Sequence, residues 1–546
     1  MKGDVARCRW VLREFRDLYE MEAKDLFCAT PSNEANNMID IIALRNDWFL
    51  VTIDLTTAFL HAEENELIYT TAPAGYEREG FAVQALRKLN GRRDGSHVFT
   101  EWLAGVIQSL GGKRCRVNPS VFVFFVEGIG PAQRYVLFYI DDGKIAGLES
   151  DINIILKGMN EILLYTEGVT LTPASRGEEV QTMLSREYRR YGHVMTRRAS
   201  PKFSRKLSAL LRVTDCEPVE VPHLGKWIRK PEDDESCTKD EHRLYRGGMG
   251  IFQYIAPERI ESQFTHKRLS RKLCDPNAGD MKELKHLARF LENTQDLVTR
   301  YEPVGEEAVI FIDVDSDWAK CQTTRKSVDC VITTWQNCMI SGSVLSQSSP
   351  ADSSGLAEFN GIHRGAITGV YLINTLREWG IDVTALVRTD SSAALAMASR
   401  LGPGKVRHLS IKSLFLQELV RRNRVQIEKQ PGVHNRADIG TKDVDKTQMY
   451  KCLEQCQVVR QPELLPKRLN KPKATARRER FDAQWRISGL MLGGCATVAQ
   501  AFGEPTDYYY SEETCADAAV TMQPSALTLL SLGAVIGLAS GLLLAH

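Results

Sequence analysis

The chain has 546 residues, 43% of them hydrophobic, with 70 lysines and arginines against 69 aspartates and glutamates. That length allows three or four domains with sizeable cores, and the balance of charge excludes a strongly positive whole-protein field, so any nucleic acid must be held by local basic faces. The 13 cysteines form no paired CxxC framework, and the closest pair, Cys452 and Cys456, lacks partners for zinc; free, packed thiols in a reducing compartment are expected.

In chain order, the N-terminal residues lead into charged sequence with no apolar run resembling a secretory signal. A strand is predicted over 49–53, ending at Asp54. Apolar runs over 134–140 and 144–147 flank Tyr139-Ile140-Asp141-Asp142. Hard cations take oxygen ligands, and carboxylates at adjacent strand ends can bridge two divalent ions about 3.5–4 Å apart, one for an attacking hydroxyl and one for a leaving phosphate. An Asp-Asp pair between strands is also a common hairpin turn. The pair alone leaves both readings open.

Up to about residue 200 the pattern is that of a mixed α/β domain. Residues 202–300 turn charged and helical, with amphipathic spacing over 203–213, 241–256 and 280–297. A second α/β block follows, with strands over 308–314, 328–335 and 339–345, a helix over 354–378, a strand ending at Thr389, further helices and a strand near 425–429. Three strands, helix, strand, helix is the order of an RNase H fold. In it, Asp315 follows the first strand, Glu358 lies in the first turn of the long helix, Asp390 follows the fourth strand and Asp438 precedes a polar turn, so the four can converge on one sheet edge and bind two Mg²⁺. Each acid alone is structurally unremarkable; their order is the signal. Asp313, Asp317, Asp329 and Glu378 read as surface acids. Residues 467–480 read as a flexible basic linker, although such runs also bind nucleic acid or anionic lipid. The uncharged stretch 526–545 matches a hydrocarbon core of roughly 30 Å, with Gly533, Gly537 and Gly541 on one helix face. A C-terminal membrane anchor is expected there, against a buried helix or meaningless read-through; 487–502 is a weaker apolar run.

Several ordered blocks resemble the reverse transcriptase and RNase H region of the Pol polyprotein of copia-type LTR retrotransposons. Arg7-Cys8-Arg9-Trp10-Val11-Leu12-Arg13-Glu14-Phe15 is similar to KARLVAKGF, residues 51–61 to QLDVKTAFLNG, residues 135–147 to LLLYVDDLLIAG and residues 245–250 to the start of YRSLVGSL. Further on, Asp315-Ser316-Asp317-Trp318-Ala319 resembles SDADWAG, residues 353–359 resemble SSTEAEY, Thr389-Asp390-Ser391-Ser392-Ala393 resembles CDNQSA, and Ala437-Asp438-Ile439-Gly440-Thr441-Lys442 resembles ADILTK. The resemblance spans about 7–445.

It implies polymerase metal ligands at Asp54, Asp141 and Asp142, and RNase H metal ligands at Asp315, Glu358, Asp390 and Asp438, with two Mg²⁺ or Mn²⁺ ions per site. It places Phe59 beneath the incoming sugar, where a ring collides with a 2′-hydroxyl and favours deoxynucleotides; a Phe packed at a strand-to-helix junction is compatible with this. Arg9 and Arg13 match positions that pair with triphosphate oxygens, and exposed surface arginines read equally well there. His434 is a candidate for proton transfer or product release.

The chain departs from the pattern in places. Asn90-Gly91-Arg92-Arg93-Asp94-Gly95 stands for YGLKQA, Ser185 takes the glycine position of an FLGIE strand, and Ala62 takes another glycine position; a glycine with positive φ would not tolerate replacement cheaply. Upstream fingers, capsid, protease and integrase are expected to lie outside this chain. The resulting expectation is a multidomain α/β and α+β protein: truncated fingers and palm (1–200), helical thumb or connection (201–300), RNase H-like domain (301–450), basic linker (451–524) and transmembrane helix (525–546). Its function would be RNA-directed DNA polymerisation with RNase H activity, in the cytoplasm or nucleus. Its partners would be RNA template, DNA primer, RNA–DNA hybrid, deoxynucleoside triphosphates, a membrane, and another chain supplying the missing fingers. The alternatives are a catalytically silent relic serving as a nucleic-acid-binding or membrane-tethered scaffold, and an enzyme retaining RNase H alone.

Overall fold

The strands Phe49–Leu55 and Arg134–Tyr139 carry apolar residues on both faces because both faces of their sheet are covered. The computed structural model describes residues 10–14 and 21–464, apart from 74, 129, 226–229, 306–307, 322, 401 and 403–410. Within them, a six-stranded sheet runs in the order Lys113–Arg114, Val121–Phe124, Arg134–Tyr139, Asp142–Gly147, Phe49–Leu55, Tyr165–Glu167. Alternation then sorts its side chains. Val51, Ile53, Val136, Phe138 and Ile145 pack with helices Gly95–Ser109 and Glu149–Asn160, whereas Leu50, Tyr135, Leu137, Tyr139 and Ala146 pack in the cluster that holds helix Asn33–Arg45. That helix starts at Ser32, whose hydroxyl accepts from the Ala35 amide at 3.0 Å, as a good N-cap does.

The later block has the expected order. A five-stranded sheet runs Cys338–Ser346, Val328–Trp335, Val309–Ser316, Thr384–Thr389, Gln426–Lys429. Its first three strands are antiparallel, and Val309–Ser316, Thr384–Thr389 and Gln426–Lys429 are parallel. Helix Ser354–Glu378 covers one face through Phe359, Ile362, Ala366, Leu372 and Leu376. Helix Asn33–Arg45 ties this block to the first one: Asn37 Nδ2 donates to the Ile340 carbonyl at 2.6 Å, while the Glu378 carboxylate accepts from the Arg116 and Val117 amides.

Between the blocks, the three expected helices form as Pro201–Leu210, Lys239–Ile255 and Ala278–Asn293, joined by a fourth, Ile260–Ser270, that the spacing does not mark out; capping boxes at Thr238/Glu241 and Asn277/Asp280 start two of the four. A second five-stranded sheet joins Gln181–Met183, Arg186–Tyr191 and Val194–Ala199 to Leu297–Tyr301 and Val458–Arg460, and helix Lys446–Gln455 runs through the expected start of the linker. Residues 467–480 and the apolar stretch 526–545 lie outside the described residues. No helix among the described residues is long and apolar enough to cross a membrane, and the described cysteines are free thiols.

The two glycine replacements differ in consequence. Ala62 has φ −85° and is fully buried, so its methyl is accommodated. Ser185 follows Leu184 in a two-residue hairpin turn, with φ 58° and 46° respectively, the left-handed pairing that favours Asn-Gly. Ser185→Gly is therefore expected to stabilise the chain by roughly 0.5–1 kcal/mol, the left-handed penalty less glycine's extra chain entropy. An unchanged midpoint of urea unfolding would contradict this.

Candidate metal centres

The strand Phe49–Leu55 delivers Asp54 to the Asp141-Asp142 hairpin by register. Asp54 lies directly opposite Asp142, and the Leu55 amide donates to the Asp141 carbonyl at 2.9 Å. Residues directly opposite in an antiparallel pair share a face, with Cβ atoms about 4.5–5.5 Å apart. Burial, then the charges of Asp141 and Asp54, push the Asp142 carboxyl up to about 7. The hairpin turn does form, but Ile140 takes its left-handed position at φ 60°. A β-branched side chain is the worst occupant of that conformation, so this turn is not built for stability; strain of this kind concentrates at functional sites. The trio's oxygens are not drawn as close as those of the second cluster, which is the one group among the described residues whose ligand atoms all fall within 4.8 Å of one another.

Around the first cluster, Phe59 sits half-buried in the 3-10 turn Ala58–His61, edge-on to Phe99 with ring centroids 5.9 Å apart. It fills the strand-to-helix junction while its turn directly follows the strand that carries Asp54. Arg13 is exposed, and Arg9 lies outside the described residues. The segment containing Arg13 is anchored where the chain departs from YGLKQA: Leu12 donates to the Asn90 carbonyl at 2.8 Å, and Glu14 accepts from the Arg92 guanidinium at 2.9 Å and the Arg93 amide at 2.7 Å. Gly91 has φ +93°, and a Cβ there would fall 1.9 Å from the Leu12 carbonyl. That glycine is required by close backbone approach.

The second cluster gathers Asp315, Glu358 and Asp390. Asp315 lies near the end of strand Val309–Ser316, and its carboxylate accepts from the Thr441 hydroxyl. Glu358 stands one turn into the helix begun by the Ser353 cap, and its Oε2 is buried with no hydrogen-bond partner. Burial, then the Asp315 and Asp390 charges, push its carboxyl up to about 9. Asp390 directly follows strand Thr384–Thr389 and is also raised, by burial and then by Asp315. Asp438 falls outside the close group. It lies in the 3-10 turn Arg436–Gly440, held to the sheet by Asn435 Nδ2 donating to the Val314 carbonyl at 3.0 Å, and it reaches Asp315 through a shared cation, Lys442. An all-oxygen donor set, mutual repulsion and an orphaned Glu358 oxygen fit a hard divalent cation.

The acids read as surface residues are placed differently. Asp313 is fully buried and bridges Arg388 at 2.7 Å and Arg436, while Asp329 is buried against Ser316 and Gln347, and Asp317 accepts from the Val328 amide. Asp313 is neutralised by arginines on distant segments, whereas Asp329 and Asp317 are held by neutral donors on neighbouring ones, which leaves all three structural. His434 is exposed on the turn Gly432–His434. Lys442 and Thr441, both in the ADILTK-like block, are neighbours of the quartet to which sequence reasoning assigns no role; the i,i+4 spacing of Lys442 from Asp438 is the available signal.

No family model matches the chain. Curated relatives align across most of it: the retrovirus-related Pol polyprotein from transposon RE1 of Arabidopsis thaliana is 21% identical over 468 residues, covering 84% of this chain and 30% of that protein. Its counterpart from transposon RE2 of the same plant is 20% identical over 77% of this chain and 28% of its own length, and that from transposon TNT 1-94 of Nicotiana tabacum is 20% identical over 82% and 34%. The chain thus spans about a third of the length of the curated relatives it matches. Among solved structures, similarity is found to the N-terminal RNase H domain of rv2228c from Mycobacterium tuberculosis (17% identity, 27% of this chain and 97% of that one, TM-score 0.19) and to a foamy viral protease-reverse transcriptase in complex with double-stranded DNA (9% identity, 73% and 60%, TM-score 0.17). Superpositions that loose carry no argument about the site. In sequence, across 77–84% of its length, this chain is similar to retrovirus-related Pol polyproteins from transposons, in line with the resemblance its motif blocks carry.

Proposed function

We propose that the chain is an RNA-directed DNA polymerase with RNase H activity, acting on a primed RNA template and on the RNA–DNA hybrid that results. The observation that carries this reading is the pairing of two separate carboxylate sets in one chain, Asp54 in register with Asp142 beside Asp141, and Asp315 gathered with Glu358 and Asp390. Mg²⁺ or Mn²⁺ ions at these carboxylates would activate an oxygen nucleophile and neutralise charge on the departing group. The chain's own part is to hold the carboxylates in place: Asp142 gives up its proton to serve as ligand, and Asp54 enters from the neighbouring strand. Phe59 would restrict the sugar to a deoxyribose, and Arg13, with Arg9, would meet the triphosphate. Asp438 completes the nuclease set from its turn.

Primer extension on an RNA template with deoxynucleotides and either metal tests the polymerase half. Joint Asp141→Ala and Asp142→Ala substitution is expected to lower incorporation on the order of 10³-fold or more, and undiminished incorporation would end the assignment. A second reading, RNase H alone, is favoured by the tighter gathering of the Asp315 set. Hybrid cleavage abolished by Asp390→Asn, with no primer extension by the unmodified chain, would select it.

A further inference from the structure

Lys442 is the one side chain whose ammonium meets two carboxylates of the Asp315 quartet at once among the ion pairs of the described residues. Its Nζ lies 2.5 Å from Asp438 Oδ1 and 3.6 Å from Asp315 Oδ2. The neighbouring residue fixes this placement. Thr441 is fully buried, donates its hydroxyl to Asp315 and accepts on its carbonyl from Lys320 Nζ at 2.8 Å. The quartet is thus divided. Asp315, Glu358 and Asp390 lie within 4.8 Å of one another and leave the Glu358 Oε2 without a partner, whereas the gap between Asp315 and Asp438 already contains a positive charge.

We propose that Lys442 is a positioning residue that occupies the Asp315–Asp438 side of the quartet as a tethered cation, so that a first divalent ion binds at Asp315, Glu358 and Asp390 and a second enters only by displacing the ammonium. This rests on the nuclease reading of the quartet. An ammonium and a divalent ion compete for the same lone pairs, and the tether gives the ammonium a high local concentration that a free ion must outbid. The second ion, in a two-ion hydrolysis, is then the weak and adjustable one. Lys442 also lowers the repulsion among the carboxylates when no ion is present, which gives the substitution a second, independent signature.

The test is a Mn²⁺ titration of the purified full chain, followed by calorimetry and by the loss of the free-ion resonance signal, for the unmodified protein, Lys442→Met, Lys442→Arg and Asp390→Asn. Read in an Asp141→Ala, Asp142→Ala background for every variant, so that the first cluster takes up no ion, the parent chain is expected to bind one ion tightly and a second at least about tenfold more weakly at the Asp315 quartet. Lys442→Met should tighten the second ion tenfold or more, Lys442→Arg should keep it weak, and Asp390→Asn should lose the first. In chelator, Lys442→Met should unfold at lower temperature than the unmodified chain. A second affinity unchanged in Lys442→Met would overturn this proposal while leaving the nuclease reading standing; no ion binding that depends on Asp390 would overturn both.

Discussion

Glu358→Gln is expected to abolish hybrid cleavage and, with divalent ions removed, to make the protein more stable. The carboxyl of Glu358 is buried beside Asp315 and Asp390, with one oxygen unpartnered and a pKa of about 9 against a starting value of 4.5. A carboxyl raised on folding contributes fully below its unfolded pKa, and its contribution is lost as pH rises through the folded value. The metal-free protein should therefore lose stability from about pH 4.5 to about pH 9. At pH 7 the folded chain must keep a proton that the unfolded chain has released, at about 1.4 kcal/mol per pH unit, so an amide of the same shape should recover on the order of 2–3 kcal/mol. Added Mn²⁺ or Mg²⁺ reverses the order, because the ion rewards the carboxylate and gains little from the amide, and its binding to the unmodified protein should strengthen as pH rises toward 9 with release of a proton. Thermal unfolding of both proteins in chelator and in millimolar Mn²⁺ should show melting curves that exchange places. If Glu358→Gln melts below the unmodified chain in chelator, charge is not crowded at this cluster.

What can be read from the sequence divides along physical lines. Helix Ser354–Glu378 and strand Val328–Trp335 are found at their expected limits, because a serine cap and a continuous apolar run are local signals. The acids on three distant segments are legible as an ordered set, since strand ends and a helix start lie at one edge of such a sheet. Strand Arg186–Tyr191 is a different case. Two of its inward positions are filled by Arg186 and Arg190, fully buried, whose guanidinium groups reach the Leu184, Tyr254, Trp48 and Gly192 carbonyls. Hydropathy reads such residues as solvent-facing, and two of the carbonyls that satisfy them, those of Tyr254 and Trp48, stand 68 and 142 residues away. The same reason hides the burial of Asp313, whose partners Arg388 and Arg436 stand 75 and 123 residues away. Lys442 is hidden in another way: its motif is legible, but the reach of its side chain to Asp315 depends on how the turn Arg436–Gly440 seats against the sheet.

Asp40→Asn is expected to destabilise the chain more than any other single change proposed for it, by about 3–5 kcal/mol. Lys144 stands where the copia-type block LLLYVDDLLIAG has leucine. Strand alternation puts it on the same face as Asp142, with Thr52 opposite it as Asp54 is opposite Asp142. There it is fully buried, 2.7 Å from Asp40 Oδ1 on helix Asn33–Arg45 and 4.5 Å from the centre of the Tyr188 ring. Two buried charges in one pair gain little net energy, but removing one leaves the other desolvated and alone. Asp40→Asn strands the ammonium two residues from Asp142, so primer extension should fall together with stability. Replacing both partners by leucine restores the apolar residue of the block at 144 and matches it with a second at 40; that double variant should unfold in urea near or above the unmodified chain. In the cycle completed by the single Asp40→Leu and Lys144→Leu variants, the interaction should then be several kcal/mol. A single Asp40→Asn variant within about 1 kcal/mol of the parent would show that water reaches the pair and that the face beneath the Asp54–Asp142 register is not a dry platform.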